Sequence, residues 1–406
     1  MKKKPLFLDR QKIRFFPFIL VFYETIVYLS NDMYLPALPT ITKEFKISQD
    51  WTQYSLIAWF VGASTLQLFI GPLSDKYGRK KNLLWGNALF IVSSLVCTYA
   101  PTIWILIIAR FFQGSSCCFI FVAGYASIHT FYGRYKAIAT IALMGSISVL
   151  APALGPLFGA VLLEFSSWRF IFILLTYLGF VSFVGLSLLM PESKATPSSY
   201  KYVLNQYKSI FLNSRFLKFA TATALSAMSL FIWVIESPFI IIDTYNKSPL
   251  YFGICQLLIF GSNILGAYYV MYYSSKINLH RLIIMALLLL GVVSTLLTFL
   301  AWYNYSLEIL IILVMILAFC SSLCFSPLNR LTIESTQAPM GQRAAIFSTI
   351  ISASAALSGL VVTLFNCKTV LSIAWLILGC SLLAIFAYLS VGKEHSEKRF
   401  KEESLS

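Results

Sequence analysis

The stretch GPLSDKYGRKK, residues 71–81, sets two glycines, a proline, one acid and four basic residues between two long apolar runs. Irregular, charged backbone of this kind is not exposed to hydrocarbon, so the stretch marks a point where the chain leaves a membrane, turns and re-enters. Its basic excess assigns it to the cytoplasmic side, because lysine and arginine accumulate on that side of short connections. Working outward in both directions, the remaining polar breaks repeat the pattern.

Composition agrees. Of 406 residues, 58% are hydrophobic and only 12% are charged, against about 25% charged in an ordinary soluble protein. A membrane span needs roughly 20 apolar residues to cross about 30 Å of hydrocarbon. Cutting at the polar breaks predicts twelve spans, near 15–38, 52–73, 82–100, 103–128, 137–163, 168–190, 216–242, 250–274, 281–303, 307–332, 344–366 and 369–391. With the N-terminus inside, the inner segments carry 24 lysines and arginines and the outer segments five. Both termini are therefore expected in the cytoplasm. The basic start MKKKPLFLDRQKIR leads into the first span with no small-residue cleavage site, so that span serves as the insertion signal.

The longest connection is residues 191–215, polar and basic. It predicts a tail over 1–14, a six-helix half over 15–190, a linker over 191–215, a second half over 216–391 and a tail over 392–406. Two such halves are a common transporter plan, with the binding site near the bilayer midplane. The formal charge of +15 is spread over short inter-span segments, with no basic domain to suggest nucleic acid. All eight cysteines fall within or at the ends of apolar runs, where the thiol behaves as a small hydrophobe. The histidines, His129, His280 and His395, have no other metal ligands beside them. No HExxH, phosphate loop or nucleophile and base pair suggests an enzyme, and no cofactor is expected.

Several ionisable residues lie within spans, where each costs about 2.5–3.5 kcal/mol even on the lenient insertion scale and marks function by default. The first span, VFYETIVYLSNDMYLPALP (21–39), holds Glu24 and Asp32. They are offset by about 80° around a helix and about 12 Å along it, one broad face at two depths. Arg110 lies inside span four, with Gln113 one turn later. Its depth matches that of Asp32, so the two are expected to pair. Span seven adds Glu236, which either widens preference toward cations or alters proton stoichiometry, or else pairs with Arg330 or lies near the outer mouth and does little. Span five contains APALGPLFGA (151–160), whose small residues permit close helix packing and whose prolines bend the helix.

Residues 71–81 resemble the signature loop of the major facilitator superfamily. That resemblance implies a cytoplasmic gate: glycines, Gly71 and Gly78, that allow the hairpin, a helix-capping Asp75 in a charge-relay latch, and Arg79 and Lys80 as its positive members. Residues 151–160 resemble the antiporter motif of the superfamily's drug exporters, carried here by Pro152, Gly155, Pro156 and Gly159, with Ala160 where a further glycine is common. YETIVYLSNDM, RFFQG, GYASI (124–128), ALMGS (142–146), ESPFIII (236–242) and NRLT (329–332) resemble the MdfA-type multidrug/proton antiporters. YLPALP is also similar to the neighbouring bicyclomycin-resistance exporters.

The resemblance implies an all-α integral membrane protein of a bacterial inner membrane that works as a monomer, exchanging protons for lipophilic cationic and neutral compounds. Glu24, Asp32 and Arg110 would couple protons. Tyr28, Asn31, Asp32, Tyr125, Met144 and Glu236 would bind substrate, although packing alone equally explains aromatic and methionine side chains at such positions. Export of one metabolite, such as a siderophore, sugar or peptide, is the alternative; proton-driven nutrient uptake is disfavoured by the span-five motif.

Overall fold

The computed structural model describes the backbone of residues 7–132, 134–192, 200–273, 277–303 and 306–403. Side chains are described over the same stretches except 7–14, 200–205, 392–403 and positions 68, 72, 75, 129, 134–136, 138, 139, 142, 148 and 149. The described chain is almost entirely helical, one of the two arrangements, with the closed barrel, that satisfy the backbone where no water can bond it. Eight helices among the described residues are long and apolar enough to cross a membrane, and this is a multi-pass membrane protein.

Contacts divide the chain into two compact units, residues 1–204 with 246–257, and 205–245 with 258–406. In the first, α1 (Phe7–Asp32) ends at the second acid, and a 3-10 turn (Leu35–Ala37) leads to the short α2 (Leu38–Phe45). Next come α3 (Gln49–Thr65), α4 (Gln67–Tyr77), α5 (Arg79–Thr98) and α6 (Ile103–Phe119), then a π-helical segment (Ile120–Gly124) and α7 (Tyr125–Phe131). The long α8 (Arg134–Phe165) and α9 (Trp168–Leu189) complete it. Helix α3 packs on α6, α5 on α6 and α9, and α1 on α8 and α9.

After α10 (Tyr200–Phe211), the second unit contains α11 (Ser214–Pro238), a second π-helical segment (Phe239–Thr244), the greater part of α12 (Pro249–Tyr273), α13 (Leu279–Trp302), α14 (Leu307–Glu334), α15 (Met340–Leu364) and α16 (Val370–Glu403). The side chains of Asn213 and Asn278 accept backbone N–H bonds at the starts of α11 and α13, satisfying donors that a helix leaves open. Helix α11 packs on α14, α15 and α16, and α13 on α14 and α16.

The quoted stretch is more helical than a tight turn would be. Helix α4 runs through Tyr77, and Gly78 alone separates it from α5, at φ 87° and ψ 148°. A side chain at that φ is strained, so Gly78 is the glycine that makes the reversal. Gly71 instead lies inside α4. Span two is also split, at Leu66, between α3 and α4.

Candidate functional site

The two acids of α1 are both buried, at 1% exposure for Glu24 and 5% for Asp32. Glu24 Oε1 accepts a hydrogen bond of 3.2 Å from the Tyr125 hydroxyl, and Glu24 Oε2 has no partner. Tyr125 reaches it because a π-helical turn, Ile120–Gly124, immediately precedes it; such turns re-aim side chains and recur at functional sites. Tyr28 joins the cluster through Phe121, with ring centroids 6.4 Å apart, and Phe121 contacts Tyr125 at 6.0 Å. An aromatic wall thus flanks a carboxylate with spare hydrogen-bonding capacity.

At the other end of α1, Arg110 is completely buried. The direct pair with Asp32 expected from matched depth does not form. The guanidinium instead donates to the Ser30 carbonyl at 2.9 Å, to Gln113 Oε1 at 2.6 Å and to Asn31 Oδ1 at 3.2 Å. Asn31 Nδ2 in turn donates to Asp32 Oδ1 at 3.1 Å. Asn31 therefore relays between the charges, because it precedes Asp32 by about 100° around the helix and lies on the side from which Arg110 enters. The bond to Ser30 also satisfies a last-turn carbonyl of α1, so Arg110 serves as a C-terminal cap.

Three partners of this centre, Ser94, Trp59 and Tyr34, were not singled out in the sequence. Gln113 Nε2 donates to Ser94 Oγ on α5 at 2.8 Å, and Trp59 Nε1 donates to Ser30 Oγ at 3.2 Å. The Tyr34 ring lies 4.6 Å from the guanidinium carbon, a cation–π contact whose value rises where water is excluded. Gln113, the partner named with Arg110 in the sequence, carried a readable signal as a polar residue in an apolar run three positions after Arg110 on the same helix. Ser94, Trp59 and Tyr34 come from separate segments of the chain.

The span-five motif meets this centre directly. A side chain on Gly155 would run into Asp32 Cβ, and one on Gly159 into the Met33 carbonyl oxygen. Both glycines let α8 lie against the end of α1. Pro152 and Pro156 lie inside the same helix, and Met144, one of the expected pocket residues, is fully buried there.

The remaining sites lie elsewhere. Arg79 donates to the Ala126 carbonyl at 2.8 Å and to the Thr130 hydroxyl, holding the end of α7. Lys80 is half-buried, and the Asp75 side chain lies outside the described residues. Glu236 is buried at 1% exposure in the second unit. It cannot pair with Arg330, which is exposed and bonded to Glu334 at 2.9 Å. Asn213 bonds the Ser335 carbonyl, so the end of α14 that carries Arg330 meets the start of α11, whereas Glu236 lies 22 residues further on, about 33 Å along the helix. No group of three or more metal-ligating side chains occurs among the described residues.

The chain belongs to the Major Facilitator Superfamily, whose family model matches residues 20–359. It is 32% identical over 350 residues to the chloramphenicol resistance protein CraA of Acinetobacter baumannii, covering 84% of this chain and 83% of that one. It is 36% identical over 271 residues to the multidrug transporter MdfA of Yersinia pestis, covering 66% of each. Among solved structures, a bacterial homologue of the human lysosomal transporter Spinster matches with a TM-score of 0.71 over 96% of both chains at 11% identity.

Proposed function

We propose that this protein is a proton-coupled multidrug efflux antiporter of a bacterial inner membrane, exporting lipophilic cations and neutral compounds by alternating access. The observation that carries the reading is the pair of buried carboxylates on α1, each held by a neutral donor: Tyr125 for Glu24 and Asn31 for Asp32. A buried charge without a direct counter-ion is costly, and a proton or a cationic drug would relieve that cost. The two ligands would then compete for one carboxylate. Proton uptake at Asp32 would remove the anion that Arg110 senses through Asn31. Because Arg110 also caps α1 and bonds Gln113, that event would be felt along α1 and α6 together. The names of the relatives support drugs as cargo, and the fully packed motif of Gly155 and Gly159 beside Asp32 supports a role for α8 in coupling.

The same reading has twelve spans in two six-helix halves, 15–190 and 216–391, joined by 191–215, with tails 1–14 and 392–406 in the cytoplasm. The 24 to five distribution of basic residues supports that direction. The working form is a monomer that needs no cofactor beyond the proton gradient.

The test is reconstitution in liposomes with an imposed pH gradient, following lumenal pH as chloramphenicol or the cation tetraphenylphosphonium is added. Drug-dependent proton movement in the wild type, lost in Glu24→Gln and Asp32→Asn, is the expected result. A folded protein that moves no protons with any drug would direct attention to a single metabolite as cargo.

A further inference from the structure

Tyr34 stands two residues after Asp32, where the chain leaves α1 and enters the 3-10 turn, and it is completely buried. Its ring lies 4.6 Å from the Arg110 guanidinium carbon, inside the distance at which an aromatic face holds a cation. The hydroxyl is tied to α3: Tyr34 Oη and Ser55 Oγ are 2.7 Å apart, and the Ser55 proton is already given to the Thr52 carbonyl at 2.6 Å. A serine hydroxyl has one proton to give, so Tyr34 donates to Ser55. On another side the ring meets Phe172 of α9, with centroids 5.6 Å apart. Two neighbouring helices thus fix the ring that faces the arginine. Arg110 Nε has no hydrogen-bond acceptor, and the guanidinium makes no direct bond to Asp32. Its charge is met by neutral groups instead: the Tyr34 ring, the Ser30 carbonyl, Gln113 and Asn31.

We propose that Tyr34 is a positioning residue that holds Arg110 away from Asp32 and so keeps that carboxylate open to a proton or a cationic drug. The proposal rests on the drug-export reading and adds a residue to it. A guanidinium and a carboxylate buried at the same end of α1 attract each other strongly where water is excluded. A direct ion pair between them would satisfy both charges and leave Asp32 little to offer a cationic substrate. The fixed ring supplies a competing partner for the arginine, and Asn31 stands between the two charges. Without the ring, Arg110 has one neutral partner fewer and room to turn toward Asp32. A cationic drug would then meet an acid already neutralised, whereas an uncharged drug would lose little. The effect belongs to the electron-rich face of the ring, not to its bulk or its hydroxyl.

Equilibrium binding of tetraphenylphosphonium and of chloramphenicol to the purified full-length protein in detergent tests this. Tyr34→Leu removes the ring and Tyr34→Phe removes the hydroxyl alone. A trifluorinated phenylalanine at position 34 keeps the shape of Phe and drains the negative charge from its face. Tetraphenylphosphonium affinity should fall about tenfold in Tyr34→Leu, stay within about threefold of wild type in Tyr34→Phe, and fall about threefold from Tyr34→Phe with the fluorinated ring. Chloramphenicol affinity should stay within about twofold throughout, which also reports that the variants are folded. In an Asp32→Asn background, Tyr34→Leu should change cation affinity by less than about twofold, because the acid through which the ring acts is gone. Should Tyr34→Leu fail to fold, the comparison of the two rings decides alone. Unchanged cation affinity in Tyr34→Leu, equal losses for both probes, an equal cation loss in the Asp32→Asn background, or a fluorinated ring that behaves as Phe would each overturn the proposal and leave drug export standing. So would a wild type that binds chloramphenicol but not the cation. A wild type that binds neither probe would remove the drug-export reading and the proposal with it.

Discussion

At the scale of single residues, Asn31 decides how the charged centre of α1 is wired. It accepts from Arg110 and donates to Asp32, so the buried cation and the nearest carboxylate communicate through one amide. Asn31→Leu keeps a similar bulk and removes both bonds. Bonds to charged groups contribute about 1.5–3 kcal/mol each, and a buried donor left without its acceptor adds its desolvation penalty. The expected outcome is a lower Tm and a drug-driven proton signal reduced at least as far as in Asp32→Asn. A variant with wild-type proton movement would show that Arg110 influences Asp32 without the relay.

Elements add constraints that no residue carries alone. The contact between α8 and the end of α1 exists because Gly159 leaves room for the Met33 carbonyl. Gly159→Leu forces overpacking at about 1–3 kcal/mol. It should lower Tm by a few degrees and abolish drug-dependent proton movement, because the displaced segment carries Asp32; the liposome assay reads the second effect directly. Across the first unit, Glu44 at the end of α2 accepts from Trp168 Nε1 at 2.6 Å and pairs with Arg169, both at the start of α9. Partial burial pushes the Glu44 carboxyl up, but the Trp168 and Arg169 hydrogen bonds and the Arg169 charge outweigh it and hold the group below its ordinary range. A carboxyl lowered in the folded state contributes stability above its unfolded value of about 4.3 and loses it as pH falls through the folded value. The pair is well exposed, so its worth is within about 1 kcal/mol. Glu44→Gln should therefore lower Tm slightly at neutral pH, and a pH series should show the gap to wild type closing on acidification.

At the scale of the whole molecule, the proposed antiport would move a number of protons per drug set by how many acids take part in one cycle. Glu24 and Asp32 lie in the first unit and Glu236 in the second, all three buried. Arg330 is engaged by Glu334 at the far end of α14, so it does not neutralise Glu236, which remains a candidate third acid. Glu236→Gln should lower the proton to drug ratio or the affinity for tetraphenylphosphonium while leaving chloramphenicol binding unchanged. Calibrated proton and drug fluxes measure the ratio, and an unchanged ratio with unchanged cation affinity would assign Glu236 a packing role.

The membrane class, the family and the identities of the buried ionisable residues were legible in the sequence, because the cost of placing charge or open backbone in hydrocarbon leaves marks that need no coordinates. Periodicity could place Asp32 and Arg110 at one depth. It could not show that Asn31 would stand between them, since the direction from which α6 approaches α1 depends on how α3, α5 and α6 pack. The stretch 71–81 announced a reversal, and only the backbone angles assigned it to Gly78 and left Gly71 inside a helix. Span five showed small residues and prolines, whereas their contact with Asp32 and Met33 required both helices in place. The π-helical turns before Tyr125 and after Glu236 were invisible in the sequence for the same reason. Burial by partners, not the local preference of IFVAG or FIIIDT, decides where a helix accepts an extra residue and, before Tyr125, turns a side chain toward an acid.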